Sequence, residues 1–141
     1  MQMIDFNYLT DFVLDDELLF SQWIESLVSN HNFAVGDVTY VFCDDVCLHE
    51  MNVQYLNHDT LTDIITFDYS EDNCISGDLF ISIERVRDNA NDFGLDFRDE
   101  LLRVMSHGVF HLMGFNDKNE SDSLMMRKLE DEAIKLFHVK Q

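Results

Sequence analysis

FRDELLRVMSHGVFHLMGFND, residues 97–117, decides how the rest of the chain is read. Residues 97 to 113 are strongly helical, and the helix should stop at Gly114, which suits the left-handed conformation that follows a helix end. His107 and His111 stand four apart inside it, so their rings leave the same face one turn from each other. Leu102, Met105, Val109 and Leu112 occupy a different stripe, which separates the two imidazoles from the core seam. A turn after Gly114 can swing Asp117 back beside them. Two imidazoles and one carboxylate would then hold one divalent ion and leave a fourth position open, the arrangement of a catalytic zinc site. Nickel, iron, manganese or cobalt suit the same ligands. A zinc protease of the HExxH type needs glutamate where Gly108 stands, which argues against ordinary peptide hydrolysis. An ion here can still acidify water toward a pKa of about 7 and polarise a phosphoryl oxygen.

Upstream of that helix the apolar pattern changes period. Residues 15 to 30 repeat every 3.6 residues behind an acidic start and predict an amphipathic helix, and Val38 to Phe42 is β-branched and aromatic, as a strand requires. A helix from Asp44 or Asp45 to about Leu56 follows. Asp63–Tyr69 reads as a second strand, Ser70–Ser76 as a loop, and Gly77–Ile83 as a third strand. The alternation Ile4–Tyr8 offers another, and a charged helix spans roughly 119 to 137. The expected fold is a single α/β (α+β) domain over residues 1–141, a small mixed sheet with flanking helices and its longest helices late. The length, 141 residues, and a 46% hydrophobic content suit one core.

The formal net charge is -19, and its distribution is lopsided: all nine Lys and Arg follow residue 84. Residues 1–84 carry 17 of the 28 acids and so -17, leaving 9 - 11 = -2 for the remainder. A chain this acidic repels a phosphate backbone at long range, so any nucleic-acid contact must use the second part or a helper protein. Read more plainly, the acids are a solvated face that keeps the protein dispersed. Three cysteines, no apolar run long enough to span a bilayer and no signal-like start predict a reduced, cytoplasmic setting.

His107-Gly-Val-Phe-His-Leu-Met-Gly-Phe-Asn-Asp117 resembles the signature of the YbeY family of bacterial rRNA-maturation factors. Thr62-Asp-Ile-Ile-Thr-Phe67 is similar to that family's threonine–aspartate segment, Gly77-Asp-Leu-Phe-Ile-Ser82 to its glycine–aspartate strand, and Leu101-Leu-Arg-Val104 to the stretch before its histidines. The likeness runs in order from about residue 50 to 120. It implies a metzincin-like fold with one Zn2+ per chain, held by His107, His111 and Asp117. It further implies a single-strand-specific endoribonuclease of 16S rRNA 3′-end maturation and ribosome quality control. The implied partners are single-stranded rRNA and the small ribosomal subunit or its proteins, with neither membrane nor DNA expected.

The chain departs from the family pattern twice. Asp117 stands where a third histidine is usual, which makes the ligand set more anionic and the ion less Lewis acidic. Leu56 follows Tyr55 where the family commonly places an arginine able to clamp a phosphate; Arg103, one turn before His107, is the nearest substitute, or else a surface or salt-bridge arginine. Thr62 and Asp63 either orient a histidine or line the cleft, or they simply close the start of a strand. Glu100, seven residues before His107, is a candidate base, although an exposed helical glutamate is the plainer reading. Cys43 and Cys47 read as small core residues. His31, His49, His58 and His138 read as structural or solvated. Two rival functions stay open: an assembly factor whose metal is structural, and a metal-dependent hydrolase of another substrate class.

Overall fold

The alternating segments pair into one mixed sheet in the computed structural model, which describes residues 4–56 and 62–140. The elements run β1 (Ile4–Tyr8), α1 (Glu17–Asn30), β2 (Ala34–Cys43), α2 (Asp45–Leu56), β3 (Ile64–Asp68), β4 (Cys74–Ser82), α3 (Ile83–Phe93), α4 (Phe97–Leu112) and α5 (Glu120–Lys140). Strand order is β1-β2-β4-β3, with β1, β2 and β4 parallel and β3 antiparallel on one edge. His58 and the side chain of Leu56 lie outside the described residues.

Alternation along the strands divides the sheet's two faces. Val38, Tyr40, Phe42, Ile75, Leu79 and Ile81 turn toward α1, α4 and α5 and form the main core with Trp23, Leu102, Met105, Val109 and Phe137. Cys43, Ile65, Phe67 and Phe80 turn the other way, where Leu48 and Cys47 of α2 cover them in a smaller cluster. Two buried hydrogen bonds tie the helical layer down. Tyr40 Oη donates to the Met105 carbonyl of α4 at 2.8 Å, and Trp23 Nε1 donates from α1 to the Ala133 carbonyl of α5 at 2.8 Å. Each satisfies a polar group that burial would otherwise strand.

Three sequence expectations need correction. Ser70–Ser76 is not loop throughout, because β4 begins at Cys74, opposite Ala34 in the parallel ladder. Ile83 opens α3 instead of closing a strand: the Ser82 hydroxyl accepts the Arg85 N–H at 3.2 Å and caps a helix that the strand-like alternation concealed. Glu100 is only 3% exposed, because α3 and α5 flank α4 and cover the face it leaves from. The candidate stop at Gly114 is as expected, with φ at +98°, and the Phe115 N–H reaches back to the Phe110 carbonyl at 3.0 Å.

Candidate metal centre

α4 crosses the edge of the sheet with His107 and His111 on the face turned toward β3. Gly108 permits that approach, since a β-carbon there would stand 2.3 Å from Leu79 Cδ2 and 2.8 Å from Ile64 Cδ1. The turn at Gly114 then returns the chain so that Asp117 faces the two rings. Asp117 Oδ2 lies 3.4 Å from His107 Nε2, Oδ1 lies 3.7 Å from His111 Nε2, and the two Nε2 atoms are 2.9 Å apart. One ligand atom from each of the three residues falls within 4.8 Å of the others, a spacing that can hold one metal ion.

The far side of each ring settles the chemistry of the near side. His111 Nδ1 is 2.9 Å from the Phe115 carbonyl, which can only accept, so Nδ1 carries a proton and in the neutral ring Nε2 is a bare lone pair. His107 Nδ1 is 2.7 Å from Glu130 Oε2, and donation there leaves its Nε2 bare whenever the ring is neutral. Two lone pairs and a carboxylate thus converge with no donor among them. A proton or a metal cation resolves that conflict, and the donor set of two nitrogens and one oxygen fits a divalent transition metal.

Electrostatics around the pair are uneven. Burial works against a charged His107, but the Glu130 carboxylate, helped by Asp117 and Asp63, outweighs it and raises this imidazole above its ordinary value. Burial and then the neighbouring His107 lower His111. Burial also raises Asp63, against the pull of His107, and raises Glu100, against that of Arg103.

Glu130 escaped the sequence reading. It is 5% exposed on the stripe of α5 that carries Met126, Leu129, Ala133 and Phe137. An acid on an apolar stripe was the available signal, because a buried carboxylate needs partners. Arg103 is one of them: its Nη1 donates to Glu130 Oε1 at 2.9 Å and its Nη2 to Asp131 at 3.4 Å, with Glu100 Oε1 3.6 Å from Nε. The guanidinium is therefore committed to carboxylates. Thr62 Oγ1 donates to the Ile64 carbonyl at 3.2 Å at the start of β3.

His107, His111 and Asp117 open into a cleft of about 910 Å³ between α4 and the β3 edge. Thr62, Asp63, Glu100, Arg103 and Glu130 line it too, as do the exposed Lys118 and Arg127. Two other described histidines have partners away from the cleft: His31 packs against the Phe110 and Phe115 rings, and His138 pairs with Asp99 at 2.8 Å. The three cysteines are free thiols, with Cys43 buried. Among the described residues no helix is long and apolar enough to cross a membrane.

A mixed sheet, a helix carrying two histidines and a returning carboxylate over an open cleft define an α/β protein with a metal-binding centre. Comparison with known proteins narrows the class. The family model described as endoribonuclease YbeY matches residues 10–138. Curated proteins named endoribonuclease YbeY from Flavobacterium johnsoniae and Flavobacterium psychrophilum are 52% and 55% identical over 139 residues, covering 99% of this chain and 100% and 99% of theirs. One from Karelsulcia muelleri is 45% identical, over 99% of this chain and 97% of its own. The chain belongs to the YbeY family. Its fold matches that of a Thermotoga maritima protein solved in solution, with a TM-score of 0.69, 24% identity and coverage of 96% of this chain and 89% of the other.

Proposed function

We propose that this chain is a single-strand-specific endoribonuclease of 16S rRNA 3′-end maturation and ribosome quality control, with one zinc ion held by His107, His111 and Asp117. Its family is one of hydrolytic RNA-cutting enzymes. The observation that carries the site is the convergence of the His107 and His111 Nε2 atoms, 2.9 Å apart, on the Asp117 carboxylate. When bound, the ion supplies Lewis-acid polarisation of a phosphoryl oxygen and acidification of water. Every other task falls to the chain. Glu130 and the Phe115 carbonyl hold the two imidazoles in one tautomer and one orientation.

Asp63 lines the cleft near His107, and its raised pKa makes it a base better matched to water than an ordinary carboxylate. Thr62 fixes the backbone that presents Asp63. Arg103 acts through Glu130, holding that carboxylate aimed at His107. Lys118 and Arg127, both exposed in the cleft, draw in the phosphates of the strand.

Peptide hydrolysis is disfavoured sterically as well as chemically, because no side chain fits at position 108 without moving Leu79 and Ile64 in the packed core. Residues 1–84, with no Lys or Arg, leave RNA to approach by the cleft and offer their acidic surface to basic proteins of the small ribosomal subunit. The cytoplasm keeps the three free thiols reduced.

The test is cleavage of a single-stranded rRNA 3′-end fragment by metal-loaded protein and by His111→Ala, with metal content measured on both. One metal per chain and cutting by the native protein only are expected. A native protein that binds metal, stays folded and cuts nothing even with ribosomes present would overturn the nuclease reading in favour of an assembly factor.

A further inference from the structure

We propose that Phe93, with Asn89 one turn before it, forms a subsite on which an unpaired base of the RNA stacks, at the end of the cleft away from the metal ligands. The inference rests on the endoribonuclease reading and names the part of the substrate that the cleft holds at a distance from the reacting phosphate.

Phe93 is out of place as a core residue. Val86, Ala90 and Phe93 follow one another at helical spacing, and Val86 and Phe93, seven residues apart, leave α3 within about 20° of each other. Val86 is 0% exposed and Ala90 2%, yet Phe93 is 66% exposed. The apolar stripe of α3 thus runs past the core and ends with a bare ring lining the cleft, where Gly94 in the left-handed region, φ +68°, stops the helix. Asn89, half-buried and also lining the cleft, sits one turn earlier on nearly the same face. An amide beside an aromatic face is the pairing that reads a base edge while the ring takes its π-surface.

A second feature of the same end points to a ligand. Glu100 is 3% exposed and lines the cleft, and its Oε1 makes no hydrogen bond, its nearest cation being Arg103 Nε at 3.6 Å. A buried acceptor without a donor invites one from outside, which a nucleotide's amino or hydroxyl group supplies.

Only Gly94, Leu95 and Asp96 separate Phe93 from α4, so the ring lies by the helix start, while His107 is ten residues along it. At 1.5 Å per residue this is roughly 15 Å, more than one nucleotide spans, so a strand must lie along α4 to occupy both ends. Lys118 and Arg127 supply positive charge to the phosphates between, and a stacking platform accepts only a base released from pairing.

The test uses metal-loaded protein and a short single-stranded RNA carrying 2-aminopurine at successive positions, with stopped-flow fluorescence before cleavage and steady-state kinetics after. The native protein should quench 2-aminopurine at one position. Phe93→Ala should abolish that quench and raise KM about tenfold with kcat changed less than about twofold, the size of one lost base stack. Phe93→Trp should restore both, and Tyr69→Ala, an aromatic 60% exposed outside this cleft, should change neither. Because Phe93 is exposed, the Tm of each variant should equal that of the native protein. RNA bound and cut equally by Phe93→Ala and native protein would overturn the subsite alone. A native protein that neither binds nor cuts single-stranded RNA overturns the nuclease reading and the subsite with it.

Discussion

His107 and His111 leave the same face of α4, one turn apart, yet they are anchored in opposite ways. The partner of His107 is a buried carboxylate 23 residues further along the chain, on α5, held in turn by Arg103. The partner of His111 is the carbonyl of Phe115, four residues away, delivered by the turn at Gly114. One ligand depends on two helices staying docked; the other depends on how its own helix ends. Chemically identical side chains can therefore respond very differently to mutation and pH.

The largest effect removes the contrast altogether. His111→Ala should lose the ion and lower cleavage more than about a hundredfold, since two protein ligands rarely hold a catalytic ion. Metal content after gel filtration, with a cleavage assay, checks this. Glu130→Gln breaks the tertiary anchor alone and should weaken ion binding by about 10- to 100-fold while the protein stays folded. Competition against a chromophoric chelator measures it, and an unchanged affinity would show that α5 merely covers the site. Gly114→Ala strains the local anchor, because alanine resists a φ of +98°. It should cost about 1 kcal/mol of stability by urea denaturation and weaken ion binding only severalfold.

The smallest effect is a titration. Without metal, the imidazole pair should lose its protons in two steps, one above the ordinary value and belonging mainly to His107, one below it and belonging mainly to His111. Above the unfolded imidazole pKa of about 6.5 the folded protein holds the extra proton, so stability falls as pH rises through the His107 step. Below it the unfolded chain holds more protons on account of His111, so stability falls as pH drops. The pair's contribution should peak near that pKa, and imidazole NMR with urea midpoints across pH would show it. A single unshifted step for both rings would remove the contrast. Bound metal should displace the shared proton, so ion affinity should climb with pH.

The local half of this contrast was legible in the sequence. A histidine pair at helical spacing, a glycine stop and a returning aspartate are all near in sequence, and spacing rules act over that range. The strands and the helices other than α3 could also be read, because their periods differ. Glu130 was not recovered, since nothing local links an acid on one helix to an imidazole on another; only its place among Met126, Leu129 and Ala133 marked it. Arg103 reads either as a phosphate clamp or as a surface or salt-bridge arginine until α5 brings Glu130 and Asp131 against it. Glu100 was mistaken for a surface residue for the same reason: burial of α4 is decided by the helices flanking it. The whole of α3 was missed, its start hidden because Ser82 both ends a strand and caps a helix.

Trp23, the chain's one tryptophan, is fully buried, its indole N–H held by the Ala133 carbonyl and its ring nearly perpendicular to that of Phe137, both on the helix that carries Glu130. The molecule thus contains its own optical gauge of α5 docking. Emission from a dry indole should lie well to the blue, and any event that loosens α5 from α1 should shift it red before the far-ultraviolet signal of the helices is lost. The same lamp could follow ion loading in real time, without a label and without a substrate.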